Sequence, residues 1–206
     1  MKRSRSSTAW LNEHVNDAYV QRAKAEGYRS RASYKLMEID DKDGLIRSGD
    51  AIVDLGAAPG GWSQVAAQRL RGSGRVIALD LLEMAPMRGV TVLQGDFREQ
   101  DVLLALEELL AGARPGLVLS DMSPNISGIA VCDQARVMHL AELGLEFARN
   151  WLKPDGAFLV KIFQGHGFGE FLQEMRQSFR TVSARKPDAS RDRSPEVYLL
   201  GKALKT

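Results

Sequence analysis

The sequence predicts an α/β protein: a doubly wound, mostly parallel, seven-stranded Rossmann-like sheet whose last strand is antiparallel, with helices at the N-terminus. Short apolar segments alternate with segments of helical periodicity, which is typical of a parallel sheet with helices on its faces. Only a polar loop joins the last two apolar segments, so these two strands should pair antiparallel. The longest apolar runs are too short for any segment to span a bilayer.

Apolar runs and turn residues place the strands at 51–55, 75–80, 90–94, 116–121, 157–163, 181–186 and 196–203. Helical spacing of apolar side chains places the helices at 10–26, 30–40, 60–70, 98–110, 133–151 and 168–178. The first helix should run from Trp10 and end at Gly27, a common residue just beyond a helix end. We expect one domain over residues 1–206, in which 1–8 are disordered and 9–44 form a helical extension.

The composition fits a globular protein with a sizeable core, since 44% of the 206 residues are hydrophobic and 26% are charged. Cys132 is the only cysteine, which excludes an internal disulfide framework and a multi-cysteine zinc site. We therefore expect no metal, and a reducing cytoplasm is the default compartment. The basic N-terminus is not followed by an apolar stretch, so it does not read as a secretory signal.

The formal net charge of +2 hides an asymmetry along the chain. Residues 1–35 hold eight basic and three acidic side chains, and residues 176–206 hold the same numbers. The segment between them, 36–175, holds twelve basic and twenty acidic side chains. A basic rim on an acidic body is a candidate binding surface for a polyanion. The alternative is that basic termini merely keep a small domain soluble.

A glycine-rich turn, DLGAAPGGWSQ at 54–64, leads from the first predicted strand into a helix. Ligands of open α/β sheets lie beyond the carboxyl ends of the strands, and glycines there let the backbone approach a ligand closely. Ala58 followed by Pro59 breaks the dinucleotide pattern, and no Gly-Lys-Ser/Thr of a phosphate-binding loop follows. The turn therefore predicts a ligand other than a dinucleotide or a nucleoside triphosphate.

Three aspartates lie at or just after the ends of predicted strands: Asp80, Asp96 and Asp121. Asp80, about 20 residues beyond the glycine turn, can accept hydrogen bonds from both hydroxyls of a ribose, and Asp96 could reach a base edge. Three carboxylates disfavour a phosphate-bearing ligand and suit one with a ribose and a positive charge, such as S-adenosylmethionine. The alternative for each aspartate alone is a helix cap or turn residue.

Lys161 lies within the apolar strand AFLVKIF, where a charged amine is costly unless it is paired or faces a site. The alternative is a lysine near a strand end whose amine extends to solvent. Asp121 ends the neighbouring predicted strand, so the two side chains can be close. Glu196 and Lys35 are weak candidates on their own, because surface acids and amines are common.

Six motifs occur in this order between Val53 and Leu199: VDLGAAPGGWSQ, ALDL, LQGDF, SDMSPN, GAFLVKIFQG and RKPDASRDRSPEVYL, and the likeness they carry runs from about Trp10 to Tyr198. In these motifs the chain closely resembles the FtsJ/RrmJ family of bacterial 23S rRNA uridine 2′-O-ribose methyltransferases. The resemblance implies a Lys-Asp-Lys-Glu catalytic tetrad, here Lys35, Asp121, Lys161 and Glu196. It also implies a cofactor site lined by Gly60, Trp62, Asp80, Asp96 and Asp121. The implied cofactor is S-adenosylmethionine, and the implied substrate is a uridine in the A-loop of 23S rRNA.

The hydroxyl of a ribose is a poor nucleophile, so Lys161 is expected either to accept its proton or, if charged, to stabilise a developing alkoxide. RNA phosphates should lie along the basic rim, formed by Lys2, Arg3, Arg5, Arg22, Lys24, Arg29, Arg31, Arg185, Lys186, Arg191 and Arg193. Two alternatives stay open: the same chemistry on tRNA or an mRNA cap, and a non-catalytic RNA-binding module. We expect a monomer without a membrane partner.

Overall fold

The structure is a computed structural model that describes residues 17–124, 127–191 and 194–205. Its helices are α1 (Ala18–Glu26), α2 (Ala32–Asp43), α3 (Gly61–Leu70), α4 (Gln100–Leu110), α5 (Ala130–Trp151) and α6 (Phe168–Ser178). Its strands are β1 (Ala51–Leu55), β2 (Arg75–Asp80), β3 (Val90–Gln94), β4 (Leu117–Ser120), β5 (Ala157–Phe163), β6 (Phe179–Arg185) and β7 (Glu196–Leu204). In the described part of the chain, no helix is both long and apolar enough to cross a membrane.

The strands form one seven-stranded sheet in the order β3-β2-β1-β4-β5-β7-β6. Neighbouring strands from β3 to β5 are parallel, whereas β7 lies antiparallel between β5 and β6. The predicted fold class is therefore confirmed, including the antiparallel last strand. The carboxyl ends of β1, β2 and β4 lie at one edge of the sheet. Because these strands run in the same direction, the residues that follow them lie close together at this edge.

Helices cover both faces of the sheet because successive side chains of a strand point to opposite faces. Ile52 of β1 packs with Leu36 of α2 and Val65 of α3 on one face. Val53 and Leu55 of β1 pack on the other face, in a cluster that also contains buried side chains of α4, α5 and α6. Apolar side chains thus cover both faces of the sheet. A polar side chain buried among them needs a hydrogen-bond or ion-pair partner, because its burial is otherwise costly.

The prediction of a continuous helix from Trp10 is wrong at its start, because the helix that ends at Gly27 begins at Ala18. Asp17 has an extended backbone, and its carboxylate accepts hydrogen bonds from the N–H groups of Tyr19 and Val20. A side chain that satisfies the free N–H groups of a first turn defines the helix start. Residues 10–16 and the segment 1–8 expected to be disordered lie outside the described residues.

Three other helices differ from their predicted bounds by two or three residues, and one of them, α4, begins at Gln100 instead of residue 98. Helix α2 runs over 32–43 instead of 30–40, and it ends where Gly44 adopts a left-handed conformation. Helix α5 begins at Ala130, three residues before the predicted start, and its Asp133 carboxylate accepts hydrogen bonds from the N–H groups of Ser127 and Gly128. The periodic apolar face of a helix does not mark such ends, because caps and turns set them.

Candidate active site

The glycine-rich turn after β1 is held against the chain that follows β4. Gly56 has φ +76°, and a Cβ on it would lie 2.7 Å from the backbone of Met122. Gly60 has φ +105°, and a Cβ there would lie 2.8 Å from Met87 Cε and 2.9 Å from Met84 Sδ. Only glycine combines these backbone angles with such close approach. The two glycines therefore set the shape of the predicted cofactor crevice.

Asp80, at the end of β2, braces this turn through backbone hydrogen bonds. Its Oδ2 accepts from the N–H of Ala58 at 2.9 Å, and its Oδ1 accepts from the N–H of Leu82 at 2.8 Å. Each carboxylate oxygen has a second acceptor direction. Asp80 therefore acts as a turn residue, which was the alternative to a ligand-binding role. Its carboxylate can still accept further hydrogen bonds, such as those from a ribose.

Asp96 follows β3 and forms an ion pair with Arg98. Oδ1 accepts from the backbone N–H of Arg98 at 3.0 Å and from its Nε at 2.9 Å, and Oδ2 accepts from Nη2 at 2.5 Å. These hydrogen bonds lower the pKa of Asp96 to about 2. A base edge that approached this carboxylate would have to share it with the guanidinium of Arg98.

Trp62 lies beneath the crevice as a core residue. Its side chain is almost completely buried, and its indole N–H donates a 2.8 Å hydrogen bond to the carbonyl of Ala32 at the start of α2. The hydroxyl of Ser33 reaches the carbonyl of Gly61 at 3.1 Å. These two contacts fix the first turn of α2 on the first turn of α3, which brings Lys35 toward the carboxyl edge of the sheet.

Lys161 and Asp121 form one amine–acid pair of the site. Lys161 Nζ donates a 2.7 Å hydrogen bond to the backbone carbonyl of Asp121 and lies 3.2 Å from its Oδ1. The lysine side chain is 8% exposed and that of Asp121 is 22% exposed. Asp121 keeps its place because its N–H donates to the carbonyl of Leu55 at the end of β1. The buried lysine is therefore paired, as the burial cost of its charge requires.

Lys35 and Glu196 form the second amine–acid pair. Lys35 Nζ lies 2.6 Å from Glu196 Oε1, and both side chains are 12% exposed. Ser190 Oγ donates to the same Oε1 at 2.9 Å. Burial opposes the charged form of Glu196, but the charge of Lys35 and the hydrogen bonds from Lys35 and Ser190 outweigh it and hold the pKa of Glu196 below its usual value. A buried carboxylate with these donors stays ionised.

Tyr198 connects the two pairs, and the sequence analysis missed it. Lys35 Nζ donates to Tyr198 Oη at 3.1 Å, and Tyr198 Oη lies 3.3 Å from Asp121 Oδ1. The structure therefore brings Lys35, Asp121, Lys161 and Glu196 into one hydrogen-bonded network, which we call the amine–acid cluster. The sequence does contain a signal for this residue, because Tyr198 places a hydroxyl within the apolar strand EVYLLGKA. Which group that hydroxyl contacts depends on how this strand pairs with its neighbour.

Asp54 is a second residue that the sequence analysis missed. It lies fully buried within β1, and its Oδ2 accepts a 2.6 Å hydrogen bond from the hydroxyl of Ser63. Its Oδ1 is buried without a hydrogen-bond partner. Burial, together with the charges of Asp121 and Asp80, raises the pKa of Asp54 to about 7, although Ser63 opposes the shift. An acid in the middle of an apolar strand was the available signal, since buried carboxylates are rare without a role or a partner.

The carboxylates at this edge of the sheet fit a cationic ligand. Asp80 ends β2 and Asp121 follows β4, while Asp54 lies within β1 one residue before its end and has an unpartnered buried oxygen. Such a set of acids stabilises a positive charge and repels a phosphate. The donor set therefore fits S-adenosylmethionine, which carries a sulfonium and two ribose hydroxyls.

A basic cavity of about 200 Å³ opens beside the amine–acid cluster. Its lining residues are Arg31, Lys35, Arg191, Ser194 and Glu196. The carboxylate of Asp17 pairs with Arg31 and lies 3.5 Å from Arg191 Nε, so an anionic group already stands between the two arginines. Of the basic rim, Lys2, Arg3, Arg5 and Arg193 lie outside the described residues.

The chain is similar to known proteins over nearly its whole length. A model of the family described as FtsJ-like methyltransferase matches residues 28–204. Ribosomal RNA large subunit methyltransferase E of Dechloromonas aromatica (strain RCB) is 64% identical over 205 residues, covering 100% of both chains. The protein of that name from Azoarcus sp. (strain BH72) is 62% identical with the same coverage. A crystal structure of a ribosomal RNA methyltransferase from Plasmodium falciparum matches with TM-score 0.76 and 28% identity, over 86% of this chain and 98% of the other.

Proposed function

Because the chain belongs to the FtsJ-like methyltransferase family, we propose that it transfers a methyl group from S-adenosylmethionine to the ribose 2′-hydroxyl of a uridine in 23S rRNA. The observation that carries the proposal is the amine–acid cluster, in which two lysines and two acids meet beside a crevice suited to a cationic nucleoside. Relatives named as large-subunit rRNA methyltransferases support the substrate. The family resemblance implies a target uridine in the A-loop, and we propose the same target for this protein.

The glycine turn and the three predicted aspartates would hold the cofactor. Asp80 would accept hydrogen bonds from the ribose hydroxyls, Asp96 would meet the base edge, and Asp121 would face the sulfonium end of the molecule. Gly60 lets the backbone approach the ligand, and Trp62 supports the turn from below. When bound, S-adenosylmethionine supplies an electrophilic methyl group on a sulfonium sulfur that leaves as a neutral thioether.

Lys161 would act directly on the acceptor. A neutral Lys161 amine takes the proton of the 2′-hydroxyl as the new oxygen–carbon bond forms, and the carboxylate of Asp121 stabilises the resulting ammonium at 3.2 Å. A Lys161 that is charged throughout would instead stabilise the developing alkoxide, and the proton of the 2′-hydroxyl would then leave to solvent water. The dependence of kcat on pH separates the two roles, because kcat stays on a plateau at high pH if a neutral amine is needed and falls there if a charged amine is needed.

Lys35 and Glu196 would orient the RNA and the cluster. The Lys35 amine lines the basic cavity and also bonds to Glu196 and Tyr198. A phosphate of the RNA beside the target ribose would enter that cavity, where it would share Arg31 and Arg191 with the carboxylate of Asp17. The described basic residues of the rim would contact further phosphates, which gives salt-sensitive and weakly sequence-specific binding.

Methyl transfer from labelled cofactor to defined RNAs tests the proposal. Purified protein is incubated with naked 23S rRNA, with 50S particles or with tRNA, and digested RNA is analysed for 2′-O-methyluridine by mass spectrometry. We expect transfer to the ribosomal substrates and none by Lys161→Ala. Transfer to tRNA alone would favour the second substrate class, and RNA binding without transfer would favour a non-catalytic module. We also propose that the protein works in the cytoplasm, where a ribosomal substrate would be met, and that it works as a monomer.

A further inference from the structure

We infer that Tyr198 is a positioning residue whose hydroxyl joins the two amine–acid pairs and fixes the orientation of the Asp121 carboxylate toward Lys161. The inference rests on the proposed function, because it concerns how the same site is held in its reactive geometry. The family resemblance implied only the two lysines, the aspartate and the glutamate, and none of the sequence motifs assigned this tyrosine a role.

The position of Tyr198 follows from strand register. In the antiparallel pairing of β5 with β7, Tyr198 lies directly opposite Lys161. Side chains of directly paired residues extend from the same face of a sheet and lie close together. The pairing therefore puts the phenol ring next to the lysine that is expected to act on the acceptor.

Packing leaves the ring of Tyr198 little freedom. The side chain is completely buried, and its ring centroid lies 5.6 Å from that of Trp62. The same ring has Lys35 Nζ at 5.6 Å from its centroid. Because Trp62 is itself anchored to the first turn of α2, the ring is fixed to the element that carries Lys35 and to the turn that shapes the cofactor crevice. Only the hydroxyl hydrogen remains free to rotate.

The hydroxyl makes one hydrogen bond to each pair. It accepts from Lys35 Nζ at 3.1 Å and donates to Asp121 Oδ1 at 3.3 Å. The same Oδ1 lies 3.2 Å from Lys161 Nζ, so Tyr198 and Lys161 hold one carboxylate oxygen from two sides. A hydroxyl can accept and donate at the same time, whereas a phenylalanine ring can do neither.

The tyrosine stays a neutral phenol while it does this. Burial, followed by the negative charges of Asp121 and Glu196, raises the pKa of Tyr198 well above its usual value. The charged groups around it are Arg31 and Lys35 at the start of α2, Asp121 after β4, Lys161 from β5 and Glu196 from β7 itself. A neutral phenol does not accept the substrate proton at physiological pH, so its contribution is orientation.

Removing the hydroxyl alone tests this. Tyr198→Phe keeps the ring and its packing, and Tyr34→Phe is the matched control because Tyr34 is also buried and donates to a carboxylate, Glu26 Oε2 at 2.9 Å, away from the cluster. We expect Tyr198→Phe to lower kcat by roughly tenfold to a hundredfold, the effect of losing hydrogen bonds to charged groups. We expect KM for cofactor and RNA to change less than about twofold. The pH profile of kcat should shift in this variant and not in Tyr34→Phe.

A second measurement does not depend on activity. Carbon NMR of the Asp121 carboxyl group, without substrates, should show a changed chemical shift in Tyr198→Phe, which loses the hydrogen bond to Oδ1, and the wild-type chemical shift in Tyr34→Phe. If the wild-type protein methylates no RNA, the proposed function is overturned. The NMR measurement still tests the role of Tyr198 in that case, because it does not depend on activity. An unchanged chemical shift of the Asp121 carboxyl carbon, or a kcat and pH profile that match the wild type, would overturn the role of Tyr198. Equal losses of kcat and of thermal stability in both variants would show that Tyr198 contributes only to packing, and would overturn its role as a positioning residue.

Discussion

Lys161 Nζ donates a 2.7 Å hydrogen bond to the backbone carbonyl of Asp121 and lies 3.2 Å from the carboxylate of the same residue. The amine is thereby held by one residue through two acceptors, of which only the carboxylate can turn away. The backbone contact fixes where the amine is, and the carboxylate sets the electrostatic field around it. Because neither contact involves the turn after β1, we expect that the lysine can be removed without disturbing the crevice that this turn forms.

Replacing Lys161 by alanine should therefore abolish methyl transfer while cofactor binding survives. Loss of a positioned acid or base costs roughly 10²- to 10⁴-fold in rate. Single-turnover transfer to 50S particles and calorimetric titration with S-adenosylmethionine measure the two effects. Lys153→Ala is the control, because Lys153 pairs with Asp50 away from the amine–acid cluster. Substantial turnover by purified Lys161→Ala would exclude the proposed role.

Replacing Gly56 by alanine should weaken cofactor binding and lower stability more than the same change at Gly72. Both residues have positive φ, +76° and +81°, so both substitutions carry the strain of about 1 kcal/mol that a left-handed residue costs. Only the Cβ at position 56 would meet backbone atoms, those of Met122 at 2.7 Å, whereas the site at 72 is open. Thermal unfolding and cofactor titration of the two variants check this. Equal effects of the two substitutions would contradict the close approach.

Asp54 should make the protein less stable as the pH rises. The folded protein raises the pKa of this carboxyl to about 7 from an ordinary 3.8, so it binds the proton more tightly than the unfolded chain. The proton on Asp54 contributes fully to the free energy of unfolding below the pKa that this carboxyl has in the unfolded chain. The contribution is lost as the pH rises through the pKa that it has in the folded protein. At about 1.4 kcal/mol per pKa unit, the loss is about 4 kcal/mol between pH 4 and 8.

Asp54→Asn isolates this contribution, because an amide keeps the shape and can accept from Ser63 but does not titrate. We expect the free energy of unfolding, measured by denaturant without cofactor, to fall less with rising pH in the variant than in the wild type. Ser63→Ala is a useful companion, since it removes the hydrogen bond that lowers the pKa of Asp54 and should move the wild-type loss to higher pH. Parallel curves for wild type and Asp54→Asn would show that this carboxyl does not titrate in that range.

RNA affinity should fall with salt, and Arg191→Ala should make it fall less steeply. Each phosphate contact contributes about 0.7 to 0.9 to the slope of log K against log salt. Arg191 lines the basic cavity, whereas Arg47, which pairs with exposed Asp155, provides the control substitution Arg47→Ala. Filter binding of an A-loop fragment over a range of salt concentrations measures the slopes. Affinity that does not respond to salt would refute the phosphate-binding surface.

The fold was accessible from the sequence because its signals are local. Apolar runs such as AIVDL and AFLVKIF identify strands, and glycine and proline mark the turns between them, without reference to distant residues. The polar connection before EVYLLGKA was enough to predict the antiparallel last strand. Helix ends were predicted less well, as with the helix that Asp17 starts, because a cap depends on which N–H groups one side chain reaches.

By itself, the sequence determined the alternation that makes a doubly wound sheet, the glycine turn, the acids at the strand ends and, through family resemblance, the four residues of the cluster. Tertiary structure alone decided what those residues touch. It placed Tyr198 opposite Lys161, buried Asp54 with one unpartnered oxygen and gave the Asp96 carboxylate to Arg98. The physical reason is that periodicity is read over a few residues, whereas a hydrogen bond such as that from Lys35 to Glu196 joins atoms 161 positions apart and exists only once register and packing are set.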